Sequence, residues 1–212
     1  MKVCCIASLD EAELAASLGA HAIGLVSAMP SGPGPIPDAL IAQIAAEAPR
    51  HLRKFLLTSR TDADAIARQV MHAGTDTVQL VDALPPGAHA RLRDLIPHVK
   101  VVQVVHVTGA GAIRAAELVA PDVDAILLDS GNPAAAVKEL GGTGRTHDWT
   151  VSRAIVDAVG IPVYLAGGLR AENVGDAVYA VRPYGVDVCS GVRTNGVLDA
   201  EKLAAFAAAL PA

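Results

Sequence analysis

The chain has 212 residues, of which 52% are hydrophobic and 3% aromatic, and its formal net charge is −5. That length is enough for one large domain with an aliphatic core. Interspersed acids and bases give no electrostatic case for nucleic acid or an anionic membrane, no apolar run is long enough to span a bilayer, and the three cysteines, two of them adjacent, form neither a disulfide framework nor a metal pattern.

The opening MKVCCI leads straight into a strand pattern with no leader-like segment, so the expected compartment is the cytoplasm. Strand-like runs fall at 2–7, 21–26, 54–59, 77–81, 100–107, 125–129, 163–166 and 186–189. A helical pattern follows each, at 10–18, 38–48, 62–73, 89–96, 112–119, 150–159, 173–181 and 200–210. Asp10, Asp38, Asp62 and Thr150 read as caps, and Gly19, Pro49, Gly74, Pro97, Gly160 and Pro183 read as stops. Strand and helix alternate with no linker. That points to a single α/β domain over 1–212, a closed (β/α)8 barrel, with an open doubly wound sheet as the alternative. No G-x-G-x-x-G follows the first strand, which favours the barrel.

Both architectures place ligands at the carboxyl ends of the strands. The first strand brings Cys4 and Cys5 there. Strand alternation predicts one pointing into the lumen and the other toward the helices, each either a base or nucleophile or a small space-filler. The loop 27–37 after the second strand is stiff, proline-rich and uncharged. Arg60, ending the third strand, is either a clamp for a carboxylate or phosphate or a solvated loop residue. Asp82 begins a polar turn, and Gln103 and His106 lie on the fifth strand, where a structural histidine is the simpler reading. On the sixth, AILL runs into Asp129, a carboxyl placed either to carry a proton or to hold loop backbone. The stretch GGTGRTHDW then offers main-chain amides, Gly142 among them, with Thr143 and Arg145 able to reach an anion.

The seventh strand stops at Gly167-Gly168 before a helix. Glycine lets backbone approach a ligand, and a helix start offers unpaired N–H groups to an anion. Ser190-Gly191, after the eighth strand, is a second such turn. Barrels often build a phosphate site from these two loops, so the pair reads as a phosphate seat.

Taken together, KVCCI, HAIGLV, TVQL, LLDS, GGTGRTHDW, YLAGGLRAENV and RPYGVDVCSGV, in that order, resemble the phosphoribosylanthranilate isomerase family of tryptophan biosynthesis over the full length. The resemblance implies a (β/α)8 TIM barrel and an Amadori rearrangement of a phosphorylated sugar-amine substrate, with no metal and no organic cofactor. It matches Cys4 to the general base, Asp129 to the general acid, Gly168, Ser190 and Gly191 to the phosphate turns, and Asp187 to an aspartate near the ligand. The sequence does not choose between monomer and homodimer.

Departures cluster at the aglycone end. The family arginine after the second strand, which grips the anthranilate carboxylate, is missing from Ser31-Gly32-Pro33-Gly34-Pro35. The glycine after the family cysteine is Cys5, the family's Gln-Leu-His-Gly is Gln79-Leu80-Val81-Asp82, the aromatic before Asp148 is His147, and the acid after Ser-Gly-Val is Arg193. Three readings follow: the family isomerase, with Arg60 as a substitute for the missing arginine; a paralogue acting on another phosphoribosyl amine; or a barrel that binds a phosphorylated metabolite without turnover. Retention of both Cys4 and Asp129 argues against the last.

Overall fold

The computed structural model describes residues 1–131 and 146–211. Eight parallel strands close in sequence order: β1 (Lys2–Val3), β2 (Ala22–Val26), β3 (Arg53–Thr58), β4 (Thr77–Leu80), β5 (Lys100–His106), β6 (Ala125–Asp129), β7 (Val163–Leu165) and β8 (Gly185–Val188), with β8 returning to β1. The helices between and after them are α1 (Leu9–Ser17), α2 (Asp38–Glu47), α3 (Ala63–Ala73), α4 (Ala88–Leu95), α5 (Gly111–Val119), α6 (Trp149–Ala158), α7 (Val174–Val181) and α8 (Ala200–Ala208). The closed barrel expected from the alternation is present, and the open sheet is excluded. An antiparallel pair that the sequence pattern did not signal, β9 (Arg193–Thr194) with β10 (Val197–Leu198), sits before α8.

Period-two alternation divides the core into two layers. Ile23, Leu25, Leu56, Ile126 and Leu128 turn outward to the helices, while Ala22, Val26, Phe55, Leu57, Ala125 and Leu127 fill the lumen. Full burial of an Ile23 or Leu25 side chain contributes about 1.5–3 kcal/mol. Surface pairs such as Arg114–Glu117 contribute far less, so the aliphatic layers hold the fold. At the amino end of the strands Tyr164 meets Phe55 and Tyr184 edge-on, with ring centroids 6.2 and 5.4 Å apart. No helix among the described residues is long and apolar enough to cross a membrane.

Several local expectations are corrected. Asp62 caps α3 as expected, accepting from Ala65 N. Ser8 rather than Asp10 caps α1, and Asp148 rather than Thr150 caps α6. Asp38 is the first helical residue of α2, and its carboxylate accepts instead from Gln69 Nε2. The first strand is two residues long, not six, and Cys4 and Cys5 both belong to the lumen-side cluster. The alternation fails because Cys5 takes φ +63°, which turns the chain off the strand path.

Candidate active site

A cavity opens at the carboxyl ends of the strands. Cys4, Cys5, Met29, Gln79, Asp129, Gly167, Gly168, Asp187, Cys189 and Ser190 are part of its lining. Lys2 and Asp187, register partners on β1 and β8, form a buried ion pair of 2.9 Å beneath it. Burial opposes the Lys2 charge, but the Asp187 carboxylate, with Cys4 and Cys5 nearby, more than offsets it and raises the lysine pKa; burial also pushes the Asp187 carboxyl up against the pull of Lys2. Asp187 Oδ1 is buried with no hydrogen-bond partner among the described residues.

Cys4 stands one layer above. Its N–H donates to Val188 O at 2.8 Å, continuing the β1–β8 seam past the regular strand. A Cβ on Gly24 would lie 2.9 Å from Cys4 Sγ and 3.1 Å from Lys2 Nζ, so glycine on β2 makes room for both side chains in the lumen. The neighbouring Cys5 thiol and the Lys2 charge together outweigh burial, so the Cys4 pKa falls. Cys5 goes the other way: its contact with Cys189 (Sγ–Sγ 2.7 Å), its contact with Cys4 and its burial push it well up. Of the two adjacent thiols, Cys4 is the one disposed to be a thiolate.

Asp129 ends β6 and lines the same cavity, with its Oδ1 accepting from Ser130 N at 2.7 Å. His147 packs behind the neighbouring turn, its Nε2 2.7 Å from Ser152 Oγ. Burial lowers the imidazole pKa against the pull of Asp129 and Asp148, which favours the neutral ring.

The two glycine turns meet. Gly167 and Gly168 have φ +84° and +62°, and a Cβ on Gly167 would crowd His147 Nδ1 at 3.0 Å. Asn173 pins this turn ahead of α7, donating to Gly168 O at 3.0 Å and accepting from Arg170 N at 2.9 Å. A Cβ on Gly191 would fall 2.0 Å from Leu169 O, so the second turn can lie against the first only as glycine. On the opposite rim the loop 27–37 folds over the thiols: Ile36 N donates to Val26 O at 2.9 Å, and Cys5 Sγ lies 3.6 Å from Pro33 O.

Of the residues expected from the sequence, Cys4, Asp129, Gly167, Gly168, Asp187 and Ser190 line this one cavity, and Gly191 backs its wall against Leu169. Arg60 is not brought to it; the residue is exposed beyond the end of β3. Gly142, with Thr143 and Arg145, lies outside the described residues. Lys2 was missed, although a lysine two places before Cys4 in a strand shares its face. Cys189, Met29 and Gln79 also line the cavity, and of these Met29 carried no signal beyond its place in the loop.

Fold and cavity together define a class, the (β/α)8-barrel enzymes with a site at the carboxyl ends of the strands. The family model for N-(5'phosphoribosyl)anthranilate (PRA) isomerase matches residues 3–209, and the chain belongs to that family. It is 39% identical over 208 residues to N-(5'-phosphoribosyl)anthranilate isomerase 2 of Methanosarcina mazei, covering 97% of this chain and 91% of that protein. It is 41% identical over 213 residues to N-(5'-phosphoribosyl)anthranilate isomerase of Haloferax volcanii, covering 99% and 91%. Among solved structures, phosphoribosyl anthranilate isomerase from Thermus thermophilus superimposes with a TM-score of 0.82 at 27% identity, over 98% of this chain and 96% of that one. A phosphoribosyl anthranilate isomerase in complex with reduced 1-(o-carboxyphenylamino)-1-deoxyribulose 5-phosphate superimposes with a TM-score of 0.81 at 25% identity, over 97% and 95%.

Proposed function

We propose that the chain isomerises N-(5'-phosphoribosyl)anthranilate in tryptophan biosynthesis, with Asp129 as general acid and Cys4 as general base. Protonated Asp129 donates to the furanose ring oxygen, and the ring opens to a Schiff base. The Cys4 thiolate takes the proton from C2′, which the cationic imine has acidified, and the resulting enolamine passes to the ketone. Main-chain amides of Gly167-Gly168 and Ser190-Gly191 seat the phosphate. Asp187 Oδ1, buried at the wall, accepts from a sugar hydroxyl. The observation that carries this reading is the presence of Cys4, Asp129 and both turns around one cavity. The test is a fluorescence assay with freshly prepared phosphoribosylanthranilate. The wild-type chain turns it over, and Cys4→Ser and Asp129→Asn each lower kcat by at least about a hundredfold. Full activity in either variant removes that residue from the mechanism.

A second reading, a related phosphoribosyl amine as the substrate, is favoured by the aglycone rim. There Met29, Ser31, Gly32 and Pro33 bring no cation, and no arginine, lysine or histidine lines the cavity among the described residues. Arg60 stands outside the lining, so Arg60→Ala is expected to leave KM for phosphoribosylanthranilate within about twofold. A larger rise returns Arg60 to the site. Comparing kcat/KM for the phosphoribosyl amines of anthranilate and of aniline separates the readings, because only a site that grips the carboxylate prefers the first strongly.

A further inference from the structure

Cys5 adopts φ +63°, a left-handed conformation that disfavours a side chain. The carbonyls of this turn point at one group. Arg193 Nη2 donates to Cys5 O at 2.6 Å and to Cys4 O at 3.3 Å. The Arg193 side chain is only 7% exposed, and its other hydrogen bonds among the described residues go to Glu11 Oε1 and Oε2, each at 3.0 Å, and Gly196 O at 2.8 Å. Glu11 in turn accepts from Ala7 N and Leu198 N, both at 2.9 Å. One buried cation therefore ties the first turn of α1 and the β9–β10 pair to the two carbonyls that follow the two-residue strand β1.

We propose that Arg193, anchored by Glu11, is a positioning residue for the reaction. By gripping the Cys4 and Cys5 carbonyls it holds the turn left-handed, which keeps Cys4 Sγ in the lumen with the Cys5 thiol beside it. The proposal rests on Cys4 being the base. Only a planar fork of donors serves a carboxylate and two carbonyls at once; a lysine can keep the charge opposite Glu11 but not the grip.

The test is Arg193→Lys in two backgrounds, wild type and Cys5→Gly, because glycine takes positive φ without strain and needs no clamp. In the wild-type background kcat falls about tenfold or more, with KM within twofold. In the Cys5→Gly background the same substitution costs less than about threefold. Equal losses in both backgrounds, or no loss in the single variant, overturn the proposal. If Arg193→Lys folds only in the Cys5→Gly background the clamp is upheld, and if it folds in neither the role is general support and the proposal fails. A second measurement needs no turnover: the pH midpoint for carboxamidomethylation of Cys4, read by tandem mass spectrometry. It rises in Arg193→Lys as the Cys5 thiol swings away, and it is unmoved by the same substitution in the Cys5→Gly background. An unchanged midpoint in the single variant rejects the clamp. An inactive wild-type chain whose midpoint does shift rejects the base assignment instead.

Discussion

At the scale of single residues, the chemistry depends on which of two neighbouring thiols loses its proton. The Cys5 thiol lies beside Cys4 and is itself tied to Cys189, so the charge is steered to Cys4, with Lys2 beneath it. A base acts deprotonated, so kcat/KM rises with pH through the Cys4 pKa, which lies below that of an ordinary thiol. Cys5→Ala removes the neighbouring thiol that lowers it, raises that pKa and moves the rising limb to higher pH. A pH–rate profile checks this, and a limb that stays in place would show that Lys2 alone sets the thiolate. The residue types at strand ends were readable from the chain. The orientation of Cys5 was not, because period-two alternation holds only while φ stays in the β region.

At the scale of elements, the phosphate seat is a contact between two loops rather than a property of either. Gly167-Gly168 and Ser190-Gly191 each read in sequence as a small turn, but nothing local said that Gly191 abuts Leu169. Gly191→Ala would put a methyl 2.0 Å from Leu169 O and force the turns apart. The expected result is a KM for the phosphorylated substrate at least about tenfold higher, with weaker competition by inorganic phosphate. An unchanged KM would move the phosphate elsewhere. Helix caps show the same division. Asp62 was legible because its carboxylate reaches Ala65 N three residues on, whereas Asp38 was claimed by Gln69 on the next helix. The short β9–β10 pair has too few residues for a periodic signal, yet it brings Arg193 to Glu11.

At the scale of the whole molecule, closure is the demanding step, because β1 supplies only Lys2 and Val3 to join β8 and β2. The Lys2–Asp187 pair crosses that seam, with the Lys2 ammonium fully buried 5.2 Å from the centre of the Phe55 ring and Asp187 buried at the cavity wall. Lys2→Met leaves a buried carboxylate uncompensated, a loss of about 3–5 kcal/mol. At roughly 2–4 °C per kcal/mol for a domain of this size, the melting temperature falls by about 6–20 °C. Adding Asp187→Leu recovers most of it, since an apolar pair of similar volume needs no compensation. Thermal melts followed by circular dichroism check both, and a fall under about 3 °C would mean that the seam closes without the pair.

By itself the sequence determined the succession of strands and helices, and so favoured the barrel over an open sheet, because hydrophobic period and Gly/Pro punctuation are written within a few consecutive residues. It also determined that a thiol, a carboxyl and two glycine turns would gather at one end, since every parallel strand in the barrel delivers its carboxyl terminus to the same face. Only the tertiary structure decided that Cys5 faces the lumen, that Lys2 pairs with Asp187, that Arg60 stays outside, and that Arg193 reaches Glu11 across 182 residues of chain. Those contacts join the beginning of the chain to its end. They come into being when the barrel closes, and no local pattern of residues encodes them.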